Sequence, residues 1–157
     1  MKFGIDIPFL QKPEPFILQN RQFNEKEDVF LQQKIDRLLE QGVISKDNLV
    51  KFISPINCVP KKNGTFRLVI DLRKLNSCGN FKYEDINSIL EFVSPKDKRV
   101  TLDIKDGFYH VPISPNSQQY MGFMYKNEKF KWCKLPSGLC VSPYFFCKIL
   151  RPIVAFF

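Results

Sequence analysis

Apolar residues recur at helical spacing along one stretch of the chain, where Leu31, Ile35, Leu38 and Leu39 fall on a single face. Asn24 precedes that run, Glu27 follows it by three positions, and Glu25 and Asp28 add acids to the first turn. The pattern predicts a capped helix start, with Gly42 as its stop. The period then shortens to two. Residues 53–60 read as a strand, Lys61-Lys62-Asn63-Gly64 as a hairpin turn, and 65–71 as the returning strand. On that return Phe66, Leu68 and Ile70 alternate with Arg67, Val69 and Asp71.

Ile86, Ile89, Leu90 and Val93 predict a short amphipathic helix over 83–93, followed by a turn at 94–98. Residues 100–113 read as an apolar strand ending on Asp103, a tight Lys105-Asp106-Gly107 turn, and a second strand. Further strands are predicted at 120–125 and 129–135, with Pro136-Ser137-Gly138 as a break. Ser142 and Pro143 form an N-cap and N1 pair, and Phe146, Ile149, Leu150 and Val154 mark a helix bent at Pro152. Helices and hairpins interleave without regular strand–helix alternation, so the expected class is α+β. Pro8, Pro13 and Pro15 make residues 1–23 an extended arm or linker, with the folded body over 24–157.

Composition narrows the class of partner. The 157 residues suit one domain, and 44% hydrophobic content with 16 Phe can fill a core. A net charge of +8 favours a polyanionic partner such as nucleic acid. The five cysteines, odd in number and without a closely spaced pair, argue against a disulfide framework and for a reducing, intracellular compartment. No apolar run approaches the roughly 20 residues that span a bilayer. The N-terminus has an early acid and proline and lacks a signal-peptide core.

Four sets of residues could carry chemistry. Asp103 lies where rigid backbone would hold a metal-binding carboxylate, although a lone acid there also serves as a turn former. Lys61, Lys62, Arg67, Arg73 and Lys74 surround a tight turn and can grip phosphates, or keep a strand edge soluble. Lys126, Lys129, Lys131 and Lys134 interleave with Tyr125, Phe130 and Trp132. That suits a nucleic-acid strand with base stacking, or an ordinary amphipathic strand. Cys133, Cys140 and Cys147 recur every seven residues, but with His110 they lack the paired spacing of a zinc site. Cys140 and Cys147 are expected instead on one buried helix face. Neither a hydrolase triad nor a glycine-rich phosphate loop is evident.

Taken in order, these segments resemble the reverse transcriptases of retroelements. Lys34-Ile-Asp-Arg-Leu-Leu-Glu-Gln-Gly-Val-Ile44 is similar to the family's opening helix, and residues 54–76 to its fingers hairpin. Residues 101–113 resemble the first catalytic motif of the palm, and Leu135-Pro-Ser-Gly-Leu-Cys-Val-Ser-Pro143 the turn before a palm helix. The resemblance implies an α+β fold of fingers and incomplete palm, an antiparallel sheet with packed helices. It implies that Asp103 and the Ile104 carbonyl bind metal. Lys61 or Lys62, with Arg67, would hold an incoming triphosphate, and Asp106 and Gly107 would offer it backbone amides. Phe108 would pack under the sugar and select deoxynucleotides. Ser137 stands where the family often carries Phe or Gln.

Partners would be an RNA or DNA template–primer and deoxynucleoside triphosphates, within a retroelement polyprotein, in the cytoplasm or the nucleus. Two Mg2+ ions about 3.5–4 Å apart would be needed. No Asp or Glu follows Glu128, whereas the family places a Tyr-x-Asp-Asp hairpin after the helix at 142–154. Residues 1–157 are therefore expected to be inactive alone, as the N-terminal part of an RNA-directed DNA polymerase. A non-catalytic nucleic-acid-binding remnant is the alternative. The segment 148–156 hints at retrotransposons with a tyrosine recombinase, or gypsy-like elements.

Overall fold

A computed structural model describes residues 4–77 and 103–154. The helix predicted over 83–93, the turn at 94–98 and the start of the strand before Asp103 lie outside the described residues.

The elements form a five-stranded sheet, a separate hairpin and packed helices, an α+β arrangement. Strand β1 (Phe16–Ile17) is followed by helix α1 (Glu25–Glu40), β2 (Ile44–Lys46) and β3 (Phe52–Ile53). The hairpin β4 (Ile56–Pro60) and β5 (Phe66–Ile70) leads into a short helix α2 (Arg73–Asn76). A 3-10 turn (Gly107–His110), α3 (Pro115–Gln118), β6 (Gly122–Tyr125), β7 (Glu128–Trp132) and α4 (Ser142–Val154) complete the order. The large sheet runs β1-β3-β6-β7-β2. It is mixed rather than wholly antiparallel: β3 pairs in parallel with both β1 and β6. The crossover through α1 allows the parallel β1–β3 pair.

Helix α1 begins as its sequence predicts. Asn24 accepts from the Glu27 amide at 3.0 Å, and the Asn24 amide donates to the Glu27 carboxylate at 3.1 Å. Gly42, at φ +61, ends the helix just past its cap, and Val43 returns an amide to the Leu38 carbonyl. Leu31, Ile35 and Leu38 are buried, while Leu39 is half-buried at the rim. Glu27 is only 7% exposed, and Arg21 holds both its oxygens, at 2.6 and 2.9 Å. That guanidinium is the main reason its carboxyl titrates below the usual range.

The strand expected over 53–60 divides. Phe52–Ile53 belongs to the large sheet and Ile56–Pro60 to the hairpin. Pro55 has no amide to continue a ladder, so the chain changes sheets there. The hairpin register pairs Ile56 with Ile70 and Pro60 with Phe66, closed by the Lys61 amide on the Thr65 carbonyl. As the alternation predicts, Leu68 and Ile70 are buried and Arg67 is exposed.

The β6–β7 hairpin turns through Lys126 and Asn127, both at positive φ, the conformation a two-residue hairpin turn requires. Phe130 and Trp132 are buried, and Phe130 stacks on Phe123 with centroids 5.2 Å apart. These rings fill the core and are not available to stack on bases. Lys126 and Lys131 pair with Asp28 and Asp47. The basic–aromatic alternation is thus that of an amphipathic strand.

Two expectations near the C-terminal helix need correction. Ser142 is the first helical residue, and its hydroxyl donates to the Pro136 carbonyl at 2.8 Å instead of capping α4. Cys140 and Cys147 do not share a buried face. Cys140 lies in the turn before the helix, with its amide on Asn76, and Cys147 is exposed. The helix begins two residues too late for a two-turn spacing to align them.

Candidate functional site

The segment after Asp103 does not run directly into a second strand. Asp106 adopts a left-handed conformation, φ 52 and ψ 37, and Gly107–His110 forms a 3-10 turn. Only Pro112 and Ile113 then make bridges, to Lys134 and Ile5. Non-glycine residues in the left-handed region are uncommon and concentrate at functional turns, and Asp is among those that tolerate it. The consequence is local. The turn swings Asp106, Gly107 and Phe108 toward the β4–β5 hairpin rather than along a sheet.

Between the hairpin, the 3-10 turn and α1 lies a cleft of about 480 Å³. Lys61 and Arg67 line it from the hairpin, Asp106, Gly107 and Phe108 from the turn, and Ser137 from the loop before α4. Six of the seven residues assigned to nucleotide binding from the sequence therefore share one cavity. Lys62 does not line it. It borders a separate hollow of about 420 Å³ at the hairpin tip, beside Asn63.

Asp103 and Ile104 border a smaller neighbouring cleft of about 280 Å³, together with Gly107, Phe108, Phe146 and Leu150. Gly107 and Phe108 line both cavities and so form the partition between them. The close fit here explains the glycine. A Cβ on Gly107 would stand 2.6 Å from Phe146 Cζ. Phe146 in turn meets Phe108 edge-on, centroids 5.4 Å apart, which fixes the Phe108 ring.

Asp103 is exposed, and hard oxygen donors such as its carboxylate and the Ile104 carbonyl suit magnesium. Among the described residues, no three His, Cys, Asp or Glu side chains gather to hold a metal ion. The donor set fits a share of a metal site but falls short of a two-ion centre.

Residues the sequence reading missed complete the cleft. Phe30, Lys34 and Arg37 line it from α1, at steps of four and three that place them on one helix face. Tyr109 lines its floor, with Lys34 Nζ 5.7 Å from its ring centroid. Burial pushes the Tyr109 phenol up to about 12 and holds the Lys34 ammonium below the ordinary lysine range. Their i, i+4, i+7 spacing is the signal for this face, which adjoins the apolar face of α1. Asn76 was also missed. Its amide donates to the Gly138 carbonyl at 2.8 Å and its oxygen accepts from the Cys140 amide at 2.9 Å, fastening the Ser137 turn to α2. Gly138, at φ +101, approaches the Ile70 carbonyl so closely that a side chain would not fit without strain.

The comparisons with known proteins agree with this architecture. The family model for reverse transcriptase (RNA-dependent DNA polymerase) matches residues 59–156. The Pro-Pol polyprotein of Simian foamy virus type 1 is 32% identical over 126 residues, covering 78% of this chain and 11% of that protein. The Pol polyprotein from transposon opus of Drosophila melanogaster is 30% identical over 132 residues, covering 79% and 13%. The chain thus spans about an eighth or less of the length of these relatives. Native prototype foamy virus protease-reverse transcriptase superposes with a TM-score of 0.82 at 28% identity, over 92% of this chain and 20% of that one. The foamy viral enzyme in complex with an RNA/DNA hybrid gives 0.76 at 25% identity, over 94% and 20%. A fingers-like hairpin, a turn that carries Asp106 and Gly107 into its cleft, and matches of this extent together make the chain a member of the reverse transcriptase family, corresponding to the N-terminal part of that domain.

Proposed function

We propose that the 480 Å³ cleft receives the triphosphate of an incoming deoxynucleotide, as the nucleotide-binding part of an RNA-directed DNA polymerase. The observation that supports this reading is the gathering of Lys61, Arg67, Asp106, Gly107, Phe108 and Ser137 around one cavity. Lys61 and Arg67 would supply charge-assisted hydrogen bonds to phosphate oxygens. The backbone at Asp106 and Gly107 would approach the same phosphates. Phe108, held by Phe146, would lie under the sugar and exclude a 2′-hydroxyl. On this reading residues 24–157 comprise the fingers and the first part of the palm, and residues 1–23 an extended arm that lays β1 against β3 and Ile5 beside Ile113. The template–primer would be RNA or DNA, as for the foamy viral protease-reverse transcriptases whose structures are in complex with double-stranded DNA or an RNA/DNA hybrid.

The family uses divalent metal ions. Asp103 and the Ile104 carbonyl would be this chain's share of a site for two Mg2+ ions. Such ions, when bound, stabilise the attacking and leaving oxygens of phosphoryl transfer. One carboxylate is too few for that site, and residues 1–157 alone would bind nucleotide without extending a primer.

Calorimetric titration of the 157-residue chain with dTTP and with thymidine tests the proposal. Saturable binding of dTTP, weakened by Lys61→Gln and Arg67→Gln, is expected. Equal affinity for dTTP and thymidine would refute it, as would templated synthesis by residues 1–157 that survives Asp103→Asn.

A further inference from the structure

The cleft carries more positive charge than the hairpin supplies. Lys34, Arg37, Lys61 and Arg67 all line it, and Asp106 is the one carboxylate among its described lining residues. None of these four cations forms an ion pair with a described residue. Elsewhere Arg21, Lys46, Arg73, Lys126 and Lys131 each hold a carboxylate within 3.0 Å. Four cations against one carboxylate in a single cavity leave an excess of positive charge that a bound anion would neutralise.

Position narrows which anion. Lys34 and Arg37 line only the larger cavity, whereas Asp103 borders only the smaller one beyond the Gly107–Phe108 partition. The α1 cations therefore face the end of a bound nucleotide farthest from Asp103. That end is the terminal phosphates, which depart as pyrophosphate. Lys34 is half-buried against Tyr109, and a bound polyanion would offset the cost of keeping its charge there.

We infer that Lys34 and Arg37 form a second anion-holding arm of the cleft, which grips the terminal phosphates of a polyphosphate ligand opposite Lys61 and Arg67. This rests on reading the cleft as the nucleotide site. No catalytic step is assigned to the arm, whose role is binding and positioning.

The test uses the 157-residue chain, inorganic tripolyphosphate and orthophosphate as probes, and calorimetry at low and moderate salt. Lys34→Gln is expected to weaken tripolyphosphate binding about tenfold, the loss of one charge-assisted contact of roughly 1.4 kcal/mol. Arg37→Gln, at an exposed position, is expected to weaken it about threefold. Orthophosphate, too short to reach both arms, should be affected far less. Lys34→Arg keeps the charge and should retain binding, and Lys126→Gln, outside the cleft, should leave it unchanged. Circular dichroism checks that each variant is folded. If Lys61→Gln and Arg67→Gln weaken tripolyphosphate while the α1 variants do not, the arm is refuted and the cleft reading stands. If no cleft substitution matters, both fall. Loss of binding in a folded Lys34→Arg variant would overturn the role of charge.

Discussion

Asn76 is the tether on which the shape of the cleft depends, and its removal has a calculable cost. The side chain joins α2 to the loop before α4 by two hydrogen bonds, to the Gly138 carbonyl at 2.8 Å and from the Cys140 amide at 2.9 Å. A typical intramolecular hydrogen bond contributes about 1 kcal/mol net. Asn76→Ala should therefore lower stability by about 1–2 kcal/mol, with solvent reaching the half-buried site to satisfy part of the loss. At a urea dependence of roughly 2 kcal/mol per molar, the midpoint would fall by about 0.5–1 M. Stability alone would not identify the cause, so the decisive readout is local. Hydrogen exchange at the Cys140 amide should accelerate more than at the Leu38 and Ile35 amides of α1. Asn76→Asp keeps the acceptor for Cys140 but faces the Gly138 carbonyl with a carboxylate, so it should protect Cys140 while still losing stability. An Asn76→Ala midpoint within 0.2 M of the parent, with Cys140 exchange unchanged, would refute the tether; that margin corresponds to about 0.4 kcal/mol.

Three further outcomes follow from the packing and the titration behaviour. Gly107→Ala must displace the Phe146 ring and with it the edge-on contact to Phe108; about 1 kcal/mol of stability should be lost, read as a lower Tm, and dTTP binding should weaken as Phe108 shifts. Gly122→Ala would drive its methyl into the Phe52 carbonyl oxygen, which cannot swing aside, so a cost near 3 kcal/mol or loss of folding is expected in urea titration. Burial pushes the Cys58 thiol up to about 11 and the Tyr109 phenol up to about 12, from ordinary values of 9.0 and 10.0. The folded state then holds protons that the unfolded chain releases, so stability is full below about pH 9 and declines as pH rises toward 12. Urea midpoints across that range check it, and Cys58→Ala should make the decline shallower without abolishing it, because burial raises the Cys140 thiol as well.

Local signals in the sequence carried much of this structure because they depend on neighbours in the chain. The Asn24–Glu27 capping box, the Asn63-Gly64 turn and the Phe66-Leu68-Ile70 alternation each concern residues a few positions apart, and each was legible. What the sequence concealed depends on residues far apart. The division at Pro55 requires knowing that β3 lies beside β6, a partner nearly 70 residues later. The 3-10 turn after Asp106 has the composition of a strand, and the close approach of Gly107 to Phe146 from α4 involves a partner nearly 40 residues away. The cleft itself joins positions from 30 to 137. Motif resemblance supplied its hairpin and turn residues but not Lys34 or Arg37, because a basic residue on an exposed helix face reads as solvated surface until the opposite wall is known.

Where a nucleotide meets this chain decides most directly between the cleft and any other surface. Amide chemical shifts of the 157-residue protein titrated with dTTP would locate the contact. Perturbations should concentrate at Lys61, Arg67, residues 106–109 and Ser137, with smaller shifts at the Lys34 and Arg37 amides and none at the β6–β7 lysines. Shifts centred on Lys126, Lys129 and Lys131, with the cleft amides unmoved, would contradict the cleft reading.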